Sequence, residues 1–171
     1  MSTATFAERV AIVTGAGRGM GRAHARFLAA RGARLVVNDT GTAMDGTGFS
    51  GEPAAEVVEE IRRAGGVAIA NTDNVACEDG AGRLVGATLD EFGRVDVVIH
   101  NAGIATFVPF GEMSYTQFRS VVAVHADGAF LVARAVWPHM VRQRYGRLVF
   151  ITSQAALIGV PQCPVPQPRK R

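Results

Sequence analysis

Four glycines at alternate positions, Gly15, Gly17, Gly19 and Gly21, follow the apolar run Val10-Ala11-Ile12-Val13. They precede Arg22 to Arg31, where Ala23, Phe27, Leu28 and Ala30 recur at helical spacing. Strand, glycine turn and helix in that order form a cradle for phosphate groups. The glycines permit positive φ and close approach of phosphates to the backbone. The helix start adds free N–H groups and the positive end of its dipole. Arg18 and Met20 occupy the turn between the glycines. Asp39 stands 18 residues after Gly21, the spacing of an acid that accepts from the adenosine ribose hydroxyls and repels a 2′-phosphate. NAD is therefore expected over NADP. Arg18 pulls the other way, since a guanidinium beside this turn could meet a 2′-phosphate; Asp39 outweighs it because it would sit directly against the ribose.

Five strands and the helices between them must position these groups. Arg34-Leu35-Val36-Val37-Asn38 reads as a second buried strand ending at Asp39, and residues 40–52 as a long, mobile Gly/Thr-rich loop. Pro53 suits a helix start, with Ala54, Val57, Val58 and Ile61 on one face and Gly65-Gly66 at its end. Val67 to Ala70 is a third strand ending near Asp73. Ala81, Leu84, Val85, Leu89 and Phe92 define a helix stopped by Gly93. Val95 to Ile99 is a fourth strand, ending at Asn101-Ala102-Gly103. Ser114-Tyr115-Thr116-Gln117 is a capping box opening one helix to about Arg144, apolar nearly all round and so either buried or part of an interface. Gly146 to Thr152 is a fifth strand, ending at Ser153. Strands alternating with helices predict an α/β fold, a doubly wound parallel sheet. Every polar group of interest follows the C-terminal end of a strand, the edge where such sheets bind ligands.

Composition limits the partners. The chain has 171 residues, 48% hydrophobic and 19% charged, as expected for one soluble domain. The formal charge of +3 comes from Arg169, Lys170 and Arg171, for without those three, 15 basic residues face 15 acidic ones. A basic tail is no nucleic-acid face. No run approaches the roughly 20 apolar residues of a membrane span, and Met1 to Val10 lacks the pattern of a secretory signal. Cys77 and Cys163 suggest neither a disulfide framework nor a metal site. The expected setting is cytoplasmic. Pro161 to Arg171 holds four of the seven prolines and is expected as an extended tail, giving residues 1–160 as a dinucleotide-binding domain and 161–171 as a proline-rich basic tail.

These motifs resemble the short-chain dehydrogenase/reductase family from about Arg9 to Pro161. Thr14 to Gly21 is similar to its Thr-Gly-x-x-x-Gly-x-Gly turn, and Asn101-Ala102-Gly103 to the motif that steadies the sheet beside the cofactor. Asp73-Asn74-Val75 is similar to its adenine-contacting segment. Ser153 is similar to the catalytic serine that holds the substrate oxygen. His125 stands where the family usually has Asn. Val36 to Asp39, Val57 to Arg63 and Val124-His125 look most like the (3R)-hydroxyacyl-CoA dehydrogenase unit of multifunctional β-oxidation enzymes. The resemblance implies a Rossmann-type sheet and NAD(P)-dependent interconversion of a secondary alcohol and a ketone, with a small 3-hydroxyacyl or steroid-like substrate. It also implies homo-oligomers built on helical interfaces. Its Tyr-x-x-x-Lys would place Tyr at position 166 and Lys at 170; position 166 is Pro, and Lys170 lies on the proline-rich tail. The expected fold therefore stops after about the fifth strand, with the tail read as a frameshift product. The alternative function is a catalytically dead dinucleotide-binding fragment or regulator.

Overall fold

A strand that is apolar along its length has to be covered on both faces, as the buried β1, β2 and β4 runs show, and five largely apolar runs here form a parallel sheet. In the computed structural model, which describes residues 5–153, the strands are β1 (Val10–Thr14), β2 (Arg34–Asn38), β3 (Val67–Asn71), β4 (Val97–His100) and β5 (Arg147–Phe150). The helices are α1 (Gly19–Ala29), α2 (Glu52–Arg63), α3 (Glu78–Phe92), α4 (Tyr115–Val122) and α5 (Gly128–Gln143). The order across the sheet is β3-β2-β1-β4-β5, every pair parallel. Strand order reverses at β1, which opens a crevice above its C-terminal end.

Alternation along each strand sorts the apolar residues into two layers. Ala11, Val13, Leu35, Val37, Val97 and Ile99 pack on Ala25 and Leu28 of α1 and on Ala54, Val57, Val58 and Ile61 of α2. Ile12, Val36 and Val98 pack on Leu84 and Val85 of α3 and on Val132, Val136 and Met140 of α5.

The N-terminal edge of the sheet is pinned by Asp96, whose side chain is fully buried. Arg9 Nη1 (3.0 Å) and Arg94 Nη2 (2.7 Å) donate to its Oδ1, while the Val10 N–H (3.0 Å) and Arg94 Nε (2.8 Å) donate to its Oδ2. Burial pushes this carboxyl up, but Arg94, the Val10 N–H and Arg9 together outweigh it and hold it below the usual carboxylate range.

Several boundaries differ from expectation for local reasons. The fourth strand runs from Val97 to His100, not Val95 to Ile99, because the Gln143 amide takes both backbone groups of Val95 (3.3 and 2.8 Å). α1 begins at Gly19 rather than Arg22, so the glycine turn itself supplies the first helical turn. The long helix is interrupted by a π-turn, Ala123–Asp127. Only Gly128, Val132, Val136 and Met140 of α5 are buried and α4 buries nothing, which leaves Phe118, Phe130, Trp137 and Val141 at least half exposed. Of the two expectations for this helix, burial therefore holds only for one stripe of α5. Tyr115–Gln143 also has the length and composition to cross a membrane, with mean hydropathy 1.3. The count of consecutive apolar residues missed this because Arg119, Asp127 and Arg134 break the run. In the fold its buried stripe packs on the sheet.

The loop expected to be mobile is tied down. Ser50 N–H donates to the Thr40 carbonyl (3.0 Å), Ala43 N–H to the Thr47 carbonyl (2.8 Å), and Ala105 N–H, beyond β4, to the Met44 carbonyl (2.9 Å). The proline-rich segment 161–171 lies outside the described residues.

Candidate functional site

Thr14 ends β1 with a hydroxyl instead of a methyl, and that hydroxyl joins two turns. Fully buried, it accepts from the N–H groups of Asn101 (3.1 Å) and Ala102 (3.0 Å) and lies 3.3 Å from Nδ1 of His100. The Asn101 amide in turn donates to the carbonyls of Thr14 (3.2 Å) and Gly15 (2.9 Å). The Asn-Ala-Gly turn thereby holds the glycine turn by its backbone. Gly15 has φ of 60°, and a Cβ there would lie 2.8 Å from Ala102 Cα. A Cβ on Gly21 would run into the Gly15 carbonyl oxygen. Neither position tolerates a side chain.

Asp39 faces the same turn from β2. Its Oδ2 accepts from Gly17 N–H and its Oδ1 from Gly41 N–H, both at 2.7 Å. Each carboxylate oxygen keeps acceptor capacity, since a carboxylate offers about four lone-pair sites. Arg18 donates to the Thr42 carbonyl (3.2 Å), which anchors the strap over residues 40–51 to the glycine turn. At β3, Asn38 donates to Asn71 Oδ1 (2.7 Å) and to the Asp73 carbonyl (2.9 Å). The Asp73 carboxylate accepts from Asn71 (2.8 Å) and Arg83 Nε (2.6 Å). Asn74 Oδ1 accepts from Ala76 N–H (2.9 Å), while Val75 is buried.

These loops enclose a cleft of about 1060 Å³ at the C-terminal edge. Gly15, Arg18, Gly19 and Met20 line its floor, Asp39 and Asp73-Asn74-Val75 one side, and Asn101-Ala102-Gly103 with Ala123 and Val124 of the π-turn the other. Met44 and Phe49 of the strap also line it. Gly17 and Gly21 support the floor from behind rather than lining the space. A diphosphate suits this floor, because the start of α1 carries no side-chain cap and a Cβ at Gly19 would meet nothing within 4 Å.

The expected catalytic positions sit at the far side. His125 lies in the π-turn, its Nε2 between the Ile104 N–H (3.2 Å) and the Ile104 carbonyl (3.0 Å), and its ring fills the space a Cβ on Gly103 would need. Ser153 follows the end of β5, where Ile151 N–H donates to the His100 carbonyl (3.0 Å). Neither His125 nor Ser153 lines the cleft itself. Lys170 lies outside the described residues. Tyr145 packs under the Arg9 guanidinium, 3.8 Å from the ring centre, at the opposite edge of the sheet. Tyr115 opens α4 and is exposed.

Sequence reasoning missed His100 and the Asn38-Asn71 pair. His100 is buried at the end of β4, with Nδ1 towards Thr14 and Nε2 3.2 Å from the Val124 carbonyl. Its signal was there: a polar ring ending an otherwise apolar strand has to find partners.

Comparison with known proteins gives consistent matches. The family model for short chain dehydrogenase matches residues 9–165. The chain is similar to a short-chain type dehydrogenase/reductase of Mycobacterium tuberculosis, 51% identical over 152 residues, which cover 89% of this chain and 53% of that protein. It is 44% identical over 155 residues to the peroxisomal hydratase-dehydrogenase-epimerase of Saccharomyces cerevisiae, covering 91% of this chain and 17% of the other. Among solved structures, a 7α-hydroxysteroid dehydrogenase complexed with NADH and 7-oxo glycochenodeoxycholic acid superposes with a TM-score of 0.83 at 30% identity, over 92% of this chain and 58% of that one. The chain spans about half the length of the single-unit relatives it matches.

Proposed function

This chain belongs to the short-chain dehydrogenase family, and on that premise we propose that its cleft binds NAD(H) for the interconversion of a secondary alcohol and a ketone. The observation that carries the reading is the convergence of the glycine turn, Asp39 and the Asn-Ala-Gly turn on one cleft. The amides of Gly19 and Met20 at the start of α1 would hold the diphosphate. Asp39 would accept from the ribose, and its charge would reject a 2′-phosphate. Asp73 to Val75 would border the adenine. When bound, the nicotinamide accepts or returns the hydride. Ser153 would hold the substrate oxygen, and His125 would orient the Ile104 segment beside it. The names of the relatives suggest a 3-hydroxyacyl or steroid-like substrate. Reduced cytoplasm is the proposed compartment, and assembly of copies through α4 and α5 belongs to the same proposal.

Calorimetric titration with NAD+ and NADP+ tests the cofactor half. We expect NAD+ to bind at least ~10-fold more tightly, about 1.4 kcal/mol, with the ratio narrowed in Asp39→Ala. The ratio is the useful readout, because any loosening of Gly17 and Gly41 in the variant affects both cofactors alike. Equal or reversed affinities in the native chain would overturn the NAD assignment.

A second reading, binding without turnover, is favoured by Pro166, which stands where the resemblance implies the proton-transferring Tyr. General acid/base help is worth ~10²–10⁴ in rate. Formation of reduced cofactor from NAD+ and a panel of 3-hydroxyacyl and steroid alcohols separates the two. Tight binding with no turnover across the panel supports the second reading, and measurable turnover rejects it.

A further inference from the structure

We propose that His100 is a positioning residue: as a neutral imidazole protonated at Nε2, it fastens the π-turn to the strand ends that hold the dinucleotide, and taking up a second proton loosens that junction. The inference rests on the dinucleotide reading of the cleft and assigns a role to a residue outside the resemblance.

The partners fix the ring's protonation. A carbonyl only accepts, so the contact from Nε2 to the Val124 carbonyl (3.2 Å) requires a proton on Nε2. In the neutral ring Nδ1 is then a bare acceptor, and the Thr14 hydroxyl, 3.3 Å away, donates to it. The same hydroxyl spends both lone pairs on the N–H groups of Asn101 and Ala102. Every donor and acceptor at the junction is matched in this one arrangement.

The π-turn makes the Val124 contact possible. Gly128 N–H reaches back five residues to the Ala123 carbonyl, so the donor that an α-helix would aim at Val124 goes elsewhere. Gly128 also lets the helix close on the ring, since a Cβ there would sit 3.3 Å from His100 Cε1. Ala123 and Val124 line one side of the cleft, and Asn101 to Gly103 line it beside them. His100, next to Asn101 in the chain and hydrogen-bonded to Val124, joins these two segments of the same wall.

A second proton disrupts the match. Nδ1–H would become a third donor to a hydroxyl with two lone pairs, and the hydroxyl's own proton would lose its acceptor. Burial, with His125 adding to it, holds His100 below its ordinary value of 6.5, while the Val124 carbonyl pulls the other way. His125 is the titratable group that acts on the ring. Thr14 from β1, Phe150 from β5 (6.4 Å between ring centres) and Gly128 from α5 face it without charge.

The test uses the intact chain labelled with 15N at histidine. Long-range 1H–15N spectra at pH 7.5 are expected to show His100 neutral with the proton on Nε2. A proton on Nδ1, or a charged ring at that pH, would overturn the proposal whatever the cofactor does. Titrating the same samples downward, the Kd for NADH is expected to rise about 10-fold per pH unit below the His100 midpoint. In His100→Gln, whose amide can still donate to Val124, that pH dependence should vanish while binding at pH 7.5 is retained within a few-fold. A Kd that stays flat through the His100 midpoint, or follows the His125 midpoint, would also overturn it. Absence of NADH binding at every pH would instead reject the dinucleotide reading, with the nitrogen spectra still deciding the state of the junction.

Discussion

Two buried ionisable groups, His100 and Asp96, couple stability to acid in different pH windows. The folded His100 has a lower pKa than the unfolded chain's 6.5. Between those two values the unfolded state binds more protons. Stability is therefore complete above about pH 6.5 and falls as pH drops through the window, at up to about 1.4 kcal/mol per pH unit. Asp96 is also lowered, from 3.8, so its contribution is present above that value and is lost only as pH falls through the folded one. Urea melts between pH 3 and 8 are expected to show both losses in that order, the upper one absent in His100→Gln. Asp96→Ala should cost roughly 3 kcal/mol at pH 7, because Arg9, Arg94 and the Val10 N–H lose one shared acceptor. A loss below about 1 kcal/mol in the same melts would refute the pinning role of Asp96.

At the scale of elements, local chemistry was legible where the partners lie a few residues apart. Ser114 accepts from Gln117 N–H (3.1 Å) while the Gln117 side chain accepts from Ser114 N–H (2.9 Å), the reciprocal cap expected from the four residues. Ser114→Ala should cost about 1 kcal/mol, read as faster amide exchange at Gln117 and Phe118, with little change in the global melt because α4 buries nothing. The five strands, their parallel pairing and the convergence of their C-terminal ends followed from apolar runs, the helices between them and glycine spacing. Three features did not. The π-turn places the Val124 carbonyl on His100, 24 residues away, and no periodicity records that. The shift of β4 depends on Gln143 reaching back to Val95 across 48 residues. The strap is held by Ala105 and Arg18 from either side, partners that a run of Gly and Thr does not announce.

At the scale of the whole molecule, the uneven cover of the sheet decides its behaviour in solution. On one layer α2 buries its large apolar residues against the sheet and α1 leaves only Met20 and Phe27 of its own exposed, whereas α4 and α5 leave Phe118, Phe130, Trp137 and Val141 in water. A patch with several large apolar side chains promotes association. We expect sedimentation velocity at micromolar concentration to show dimers or larger species, and Phe130→Glu with Trp137→Glu to shift the chain towards monomer. A native chain that sediments as a single monomer would contradict this.

The place of β1 in the middle of the sheet also imposes an order in time. Its partner on one side, β2, begins at Arg34, but its partner on the other, β4, begins only at Val97, and the Thr14–Asn101 contact spans 87 residues. As the chain leaves the ribosome, β1 to β3 can assemble while the other flank of β1 stays bare until β4 arrives. Closing that long loop is expected to be the slow step. Since the Asn101 side of the cleft needs β4 in place, a dinucleotide would assist only the last stage of folding, and the open flank of β1 is the interval in which a chaperone has most to protect.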